Sequence, residues 1–347
     1  MTERHATTVD AVSNARAWTR ILASYREPDG KRGVIELLIT FVPFILFWAL
    51  ACFALAVSYW VSLGFILLAA GLLVRLFAIQ HDCGHGSFFR NRHINDWVGR
   101  FLGVLTLTPY DVWRKAHAIH HSSSGNLEKR GIGDIDTRTV QEYLALSPSG
   151  RLLYRIYRHP ITLFVVGPAY QFFIRHRWPL QPIRRRLGPW VSAMATNAAI
   201  LFLSGLCIWL VGLVPFLQIQ LPITLIAASV GVWLFYVQHQ FEETTWSGGG
   251  NWDLHDAALH GSSHYDLPLV LRWFTANIGV HHVHHLCSRI PSYRLPEVLR
   301  DHPSLASYGR LTLLDSLRCV KLCLWDERRG CLVSFRDVAS YRLMPAN

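Results

Sequence analysis

Charged residues make up only 16% of this 347-residue chain, against 51% apolar and 12% aromatic. So little charge excludes an ordinary soluble domain and directs attention to bilayer spans. A cysteine framework is also missing. The seven cysteines (52, 83, 207, 287, 319, 323 and 331) are odd in number and irregular in spacing, which excludes a disulfide scaffold and fits a reducing compartment. Cys319 and Cys323 stand four apart, wider than C-x-x-C, and read as buried thiols. Neither ferredoxin cysteine spacing nor an HPGG-type haem segment occurs. Residues 1–33 are polar and mixed in charge, unlike a cleavable signal. Low-complexity tracts and repeats are absent. The net charge of +11 does not point to nucleic acid, because the arginines cluster beside apolar runs.

Four apolar stretches are present, roughly 37–57, 59–79, 192–215 and 221–239, each close to the ~20 residues a crossing helix needs. Short uncharged links around 58–62 and 218–222 join them into two helical hairpins. Thirteen tryptophans suit membrane interfaces. Lys31 and Arg32 precede the first stretch, and Arg90, Arg92 and Arg100 follow the second. Arg151, Arg155, Arg158, Arg175, Arg177 and the run 184–186 lie between the hairpins, and Arg272, Arg289, Arg294 and Arg300 follow the last. The positive-inside rule puts both termini and the middle segment in the cytoplasm. Two shorter runs, 97–110 and 161–174, read as interfacial or re-entrant helices. The expected fold is an all-α integral membrane protein with four transmembrane helices and a cytoplasmic helical cap holding a di-metal site. It forms one domain over 1–347: an N-terminal cytoplasmic segment (1–33), a hairpin (37–79), cap (80–190), a second hairpin (192–239), and further cap with a C-terminal segment (240–347).

Histidines carry the chemistry. His81 and His85 stand directly beyond the second stretch, at i and i+4, so that helix is expected to continue out of the membrane. His117, His120 and His121 occupy i, i+3 and i+4, and His281, His284 and His285 repeat that spacing, while His282 points elsewhere. With 18 histidines, about one HxxxH is expected by chance, but only about a twentieth of an HxxHH. Two HxxHH clusters are therefore hard to attribute to accident. Neutral imidazole suits zinc, copper, iron and nickel. Eight such groups exceed what one metal holds, and a structural zinc site would be closed at four ligands, usually with cysteine. Two metals with open positions fit better, and as iron they would form an oxygen-activating pair. His239, at the end of the fourth stretch, is the candidate ninth ligand, and Asn277 a candidate to orient a ligand or bound water. His93, His159, His176, His255, His260, His264 and His302 share no spacing and read as loop or interface residues; Cys83 and Cys287 read as small packed residues. A metal transporter would need polar groups within the spans, where Arg75 is the notable charge.

At these residues the sequence resembles the membrane fatty acid desaturase family, marked by HxxxH, HxxHH and HxxHH boxes. The likeness extends to H-D-C-G-H-G-S-F-F (81–89), G-I-G-D-I-D-T-R-T-V-Q-E-Y (131–143), Y-V-Q-H-Q-F-E (236–242), Y-D-L-P (265–268), W-F-T-A-N-I-G-V-H-H-V-H-H-L (273–286) and R-I-P-S-Y-R-L (289–295). It covers roughly residues 25–300 and is nearest to bacterial acyl-lipid omega-6 (delta-12) types. The resemblance implies four transmembrane helices under a cytoplasmic cap. Two irons would be held there by His81, His85, His117, His120, His121, His281, His284 and His285, with His239 matching an extra family histidine. It also implies that dioxygen is reduced to water while a lipid-linked acyl chain is desaturated, with electrons from a ferredoxin or a cytochrome b5-like protein. The setting would be a bacterial inner membrane, and zinc could replace iron in purified protein. His264 stands where a tyrosine is expected, and Arg138 where an apolar residue is usual; both departures bear on the substrate path. Trp113 and Arg114 are candidates for a lipid head group. The alternative is a related hydroxylase or ketolase acting on carotenoids, sphingolipids or alkanes.

Overall fold

The computed structural model describes residues 15–179 and 185–338, so Arg184 of the arginine run lies outside the described residues. Among the described residues, four helices are long and apolar enough to cross a membrane: Gly30–Leu55, Tyr59–His85, Leu187–Val211 and Leu213–His239. Asp29 starts the first by accepting hydrogen bonds from the Lys31 and Arg32 amides at 2.9 and 3.1 Å, and Ser58 caps the second. Such caps satisfy amides that have no partner within the helix. The second helix runs without a break into His81 and His85 and stops at Gly86, whose φ of 68° suits glycine.

Several expected boundaries move: the first span begins at Gly30 and the third at Leu187, each earlier than expected. The second hairpin turns at Gly212 (φ 88°), not at 218–222. Pro222 lies inside the fourth span, and Pro215 sits in its first turn, where a missing amide costs nothing. The first hairpin turns at 56–58, just before the expected link. The run expected at 97–110 resolves into the helix Arg92–Leu105 and the start of Tyr110–Ser123, parted by Leu107 at φ 53°. The run 161–174 is helical, with π-type turns at Thr162–Val166 and Tyr170–Ile174.

The second span is the most enclosed of the four. It packs on the first, where the Ser62 hydroxyl donates to the Ala51 carbonyl at 2.9 Å, and on the fourth. Its charge, Arg75, has a partner that the sequence reading overlooked: Glu36, at the base of the first span. Thr40 Oγ1 accepts from Arg75 Nε at 3.0 Å, the Trp273 carbonyl accepts from Nη1, and the guanidinium lies 4.3 Å from the Trp273 ring centroid. Both hairpins open toward the cap, so His85 and His239 finish on the same side. The cap is mainly short helices, with two small β-elements. Arg138–Thr139 pairs in parallel with Leu324–Asp326, which is antiparallel to Cys331–Val333, and His264–Asp266 runs parallel to Arg310–Thr312.

Breaking a buried ion pair strands one charge, at a cost of about 3–5 kcal/mol. Arg75→Ala is expected to lower the thermal unfolding midpoint in detergent sharply. The double replacement of Glu36→Leu and Arg75→Met is expected to recover most of that loss. An unchanged midpoint in the single variant would show that the pair does not stabilise the fold.

Candidate metal centre

Four elements deliver histidines to one buried region: the ends of the second and fourth spans, the helix Tyr110–Ser123, and the six-residue helix His281–Leu286. They sort into two groups, His81, His85, His117, His121 and His284 in one, and His120, His239, His281 and His285 in the other. All nine histidines singled out from the sequence fall in these two groups. The HxxxH box enters the first group whole, whereas each HxxHH box is divided. His117 and His121 join the first group while His120 turns to the second; His281 and His285 join the second while His284 turns to the first. Helical neighbours at i and i+4 share one face, and the residue at i+3 reaches the adjacent position.

The rings converge through Nε2. His117 Nε2 lies 3.0 Å from that of His85 and 3.1 Å from that of His121, and His121 and His284 are 3.2 Å apart. In the second group His239 Nε2 lies 3.1 Å from both His120 and His281, and His281 and His285 are 3.1 Å apart. One imidazole nitrogen carries either a proton or a lone pair, so His117, His121, His239 and His281 cannot satisfy two such neighbours each by hydrogen bonding. A cation with metal–nitrogen bonds of about 2.1 Å sets ligands at right angles about 3.0 Å apart. The donor set therefore fits a metal better than it fits itself.

Some of the outward-facing nitrogens have partners that orient the rings, whereas the buried Nδ1 atoms of His281 and His284 have none among the described residues. Asp134 accepts from His120 Nδ1 at 2.5 Å, which leaves the Nε2 lone pair facing inward. The Gly261 carbonyl accepts from His239 Nδ1 at 3.3 Å. Asp82, beside His81, accepts from the Ser292 amide at 2.7 Å and so ties the first box to the loop after the third. Trp113 stacks on His117, with ring centroids 4.6 Å apart, and Phe235 packs on His120 and His239. Burial first, then the neighbouring imidazoles, hold His117, His121, His281, His284 and His285 well below the ordinary imidazole range. Each then presents the neutral ring that metal ligation requires. A cavity beside the second group is lined by Ser124, Asn126, Asp134, Phe235, His239 and Gln240.

Other expectations resolve differently. Asn277 occupies a left-handed turn (φ 58°) before the third-box helix, and its amide is directed at the Ser292 carbonyl, 3.4 Å away. Its connection to the histidines runs through Ser292 and Asp82. His282 faces away, against the Leu305 carbonyl at 2.9 Å. Cys83, Cys287, His93, His159, His176, His255, His260, His264 and His302 lie outside both groups. His264 donates to the Ala306 carbonyl from Nδ1 at 2.7 Å, and Arg138 lies over Tyr154. Arg114 is engaged by Asp96 at 2.6 Å. Asp134 was missed by the sequence reading because its role depends on a chain reversal after the second box.

A family model for fatty acid desaturases matches residues 58–314. The chain is 45% identical over 320 residues to a protein named fatty acid desaturase in Bacillus subtilis (strain 168), covering 92% of this chain and 90% of that protein. It is 30% identical over 261 residues to an sn-1 acyl-lipid omega-3 desaturase (ferredoxin) of Synechocystis sp. (strain ATCC 27184 / PCC 6803 / Kazusa), covering 71% of this chain and 68% of the relative. An sn-1 oleoyl-lipid 12-desaturase of that organism is 28% identical over 240 residues, covering 64% of this chain and 63% of the relative.

Elemental analysis of the purified protein tests the donor set. His281→Ala is expected to lose metal from the second group, and Asp134→Asn to weaken retention against a chelator by about 10- to 100-fold. The exposed His93→Ala serves as the control and is expected to match the parent chain. Full metal content in His281→Ala would remove that group from the centre.

Proposed function

The chain belongs to the fatty acid desaturase family, and we propose that it inserts a cis double bond into a lipid-linked acyl chain with two irons held by its nine clustered histidines. It is a membrane oxidoreductase that desaturates lipid acyl chains. The observation that carries the finer reading is the division of three boxes and His239 into two adjoining all-histidine groups. His81, His85, His117, His121 and His284 would hold one iron, and His120, His239, His281 and His285 the other. Bound there, the irons supply the dioxygen chemistry that an unactivated C–H bond requires and side chains alone do not provide. Because imidazole also suits zinc, zinc is expected to compete during purification.

The protein's own groups prepare that region. Asp134 keeps a proton on His120 Nδ1, while Trp113 and Phe235 wall the rings with apolar surface and limit water. Arginines flanking the spans support a cytoplasmic cap and cytoplasmic termini, in keeping with a bacterial inner membrane. Residues 1–347 form one catalytic unit on this reading. Dioxygen is the co-substrate, and electrons come from a separate ferredoxin or cytochrome b5-like donor docking on the cap. The ferredoxin named for one relative supports the first.

Expression with a donor system, followed by mass spectrometry of cellular fatty acids, tests the proposal. The expected product is an acyl chain two hydrogens lighter, absent with His284→Ala. A product one oxygen heavier would instead establish the hydroxylase or ketolase alternative. Full activity in His284→Ala would refute the site.

A further inference from the structure

Two short cap helices wear their polarity inside out. In Leu313–Cys319 the face turned to the protein carries Ser316 and Cys319, whereas Leu313, Leu314 and Leu317 point outward, with Leu314 75% and Leu317 58% exposed. A helix on a water-facing surface does the reverse. In Leu269–Phe274, Leu269 is 78% exposed and Val270 and Leu271 are also exposed. The two are neighbours, because each follows a strand of the parallel pair His264–Asp266 and Arg310–Thr312 and so leaves the same end of it.

Both lie below the histidines, alongside the spans. The Phe274 ring packs so closely on Gly71 that a Cβ there would be 2.8 Å from it. Gly71 is ten residues before His81, about 15 Å along the helix axis. Arg75, which holds the Trp273 carbonyl, is about 9 Å from His81 by the same measure. Arg75 is paired with Glu36, whose neighbours Ile35, Leu38 and Ile39 form an exposed apolar stripe of the first span. The other helix hangs from the fourth span. Tyr236 Oη donates to the Cys319 and Leu322 carbonyls at 3.0 Å, and Tyr265, bonded to Ser316 at 3.0 Å, accepts from Trp233 Nε1 at 3.3 Å. Trp233 is six residues before His239, again about 9 Å deeper.

We propose that Leu269–Phe274 and Leu313–Cys319 form one membrane-inserted surface of the cap, with their leucines in the headgroup–acyl boundary of the leaflet on the cap's side. Their apolar faces continue the lipid-facing stripe of the spans at the same depth. Arg310 and Arg318 stand exposed at the rim, where long cationic side chains reach the headgroups. The occupant is the bilayer itself.

The test uses the full chain in nanodiscs of phosphatidylcholine and phosphatidylglycerol, doped with a phospholipid carrying a diazirine near the glycerol end of one acyl chain. After illumination, peptide mapping is expected to find lipid adducts on 269–274 and 313–317. Their yield should approach that on 35–39 and exceed several-fold that on the polar turn 326–330. Adducts confined to the four spans would overturn the proposal, as would cross-links showing a second copy of the chain seated on these leucines. The Leu314→Gln, Leu317→Gln double variant separates insertion from chance contact. Adducts on 313–317 are expected to fall while those on 35–39 persist; unchanged adducts would also count against it. None of these readouts depends on metal content or turnover.

Discussion

Nine imidazoles drawn together in a buried region form the constraint around which this protein is arranged. Each ring removed from water must regain a partner or cost several kcal/mol, and nitrogens spaced near 3 Å cannot partner one another throughout. Cations at its two centres would make the arrangement favourable, and the surrounding contacts fix the orientation of several rings. Asp134, the Gly261 carbonyl, Trp113 and Phe235 each restrict a ring's rotation. The loops that bring these groups in are themselves fastened, as where Asp82 receives the Ser292 amide.

The division of each HxxHH box between two groups gives that motif a physical meaning. A pair at i and i+4 grips one position, and the histidine between them serves the next. The box therefore measures the separation of two centres along a single helix. HxxxH, lacking the middle histidine, belongs to one centre only. The second group then has three box histidines and is completed to four by His239 from the fourth span.

Much of this was legible in the sequence because it is local. The spans follow from apolar length, and the boxes from helical spacing. His239 could be found because it ends an apolar helix on the correct side. What escaped depends on distant chain segments. Glu36 lies just outside the expected first stretch, and nothing local marks it as the partner of Arg75, 39 residues away. The uncharged link at 218–222 reads as a turn, yet the positive φ of Gly212 places the turn earlier, with Pro215 in the first turn of the fourth span and Pro222 inside it. Asn277 reads as a helical neighbour of His281, but two residues in left-handed conformation, Ala276 and Asn277, break the helix before the box begins. The exposed leucines of Leu313–Cys319 gave no signal, since seven residues are too few to register as an apolar run.

The second and fourth spans pass without interruption from hydrocarbon into histidine, and this makes each of them a lever. Each helix of 27 residues is about 40 Å long. Helices answer changes in bilayer thickness by tilting, and one degree of tilt carries the end of such a helix through about 0.7 Å. That is a third of a metal–nitrogen bond length. A change of tilt in one span relative to the other would therefore shift His81 and His85 against His239. The membrane whose acyl chains are altered is also the frame that holds the tool.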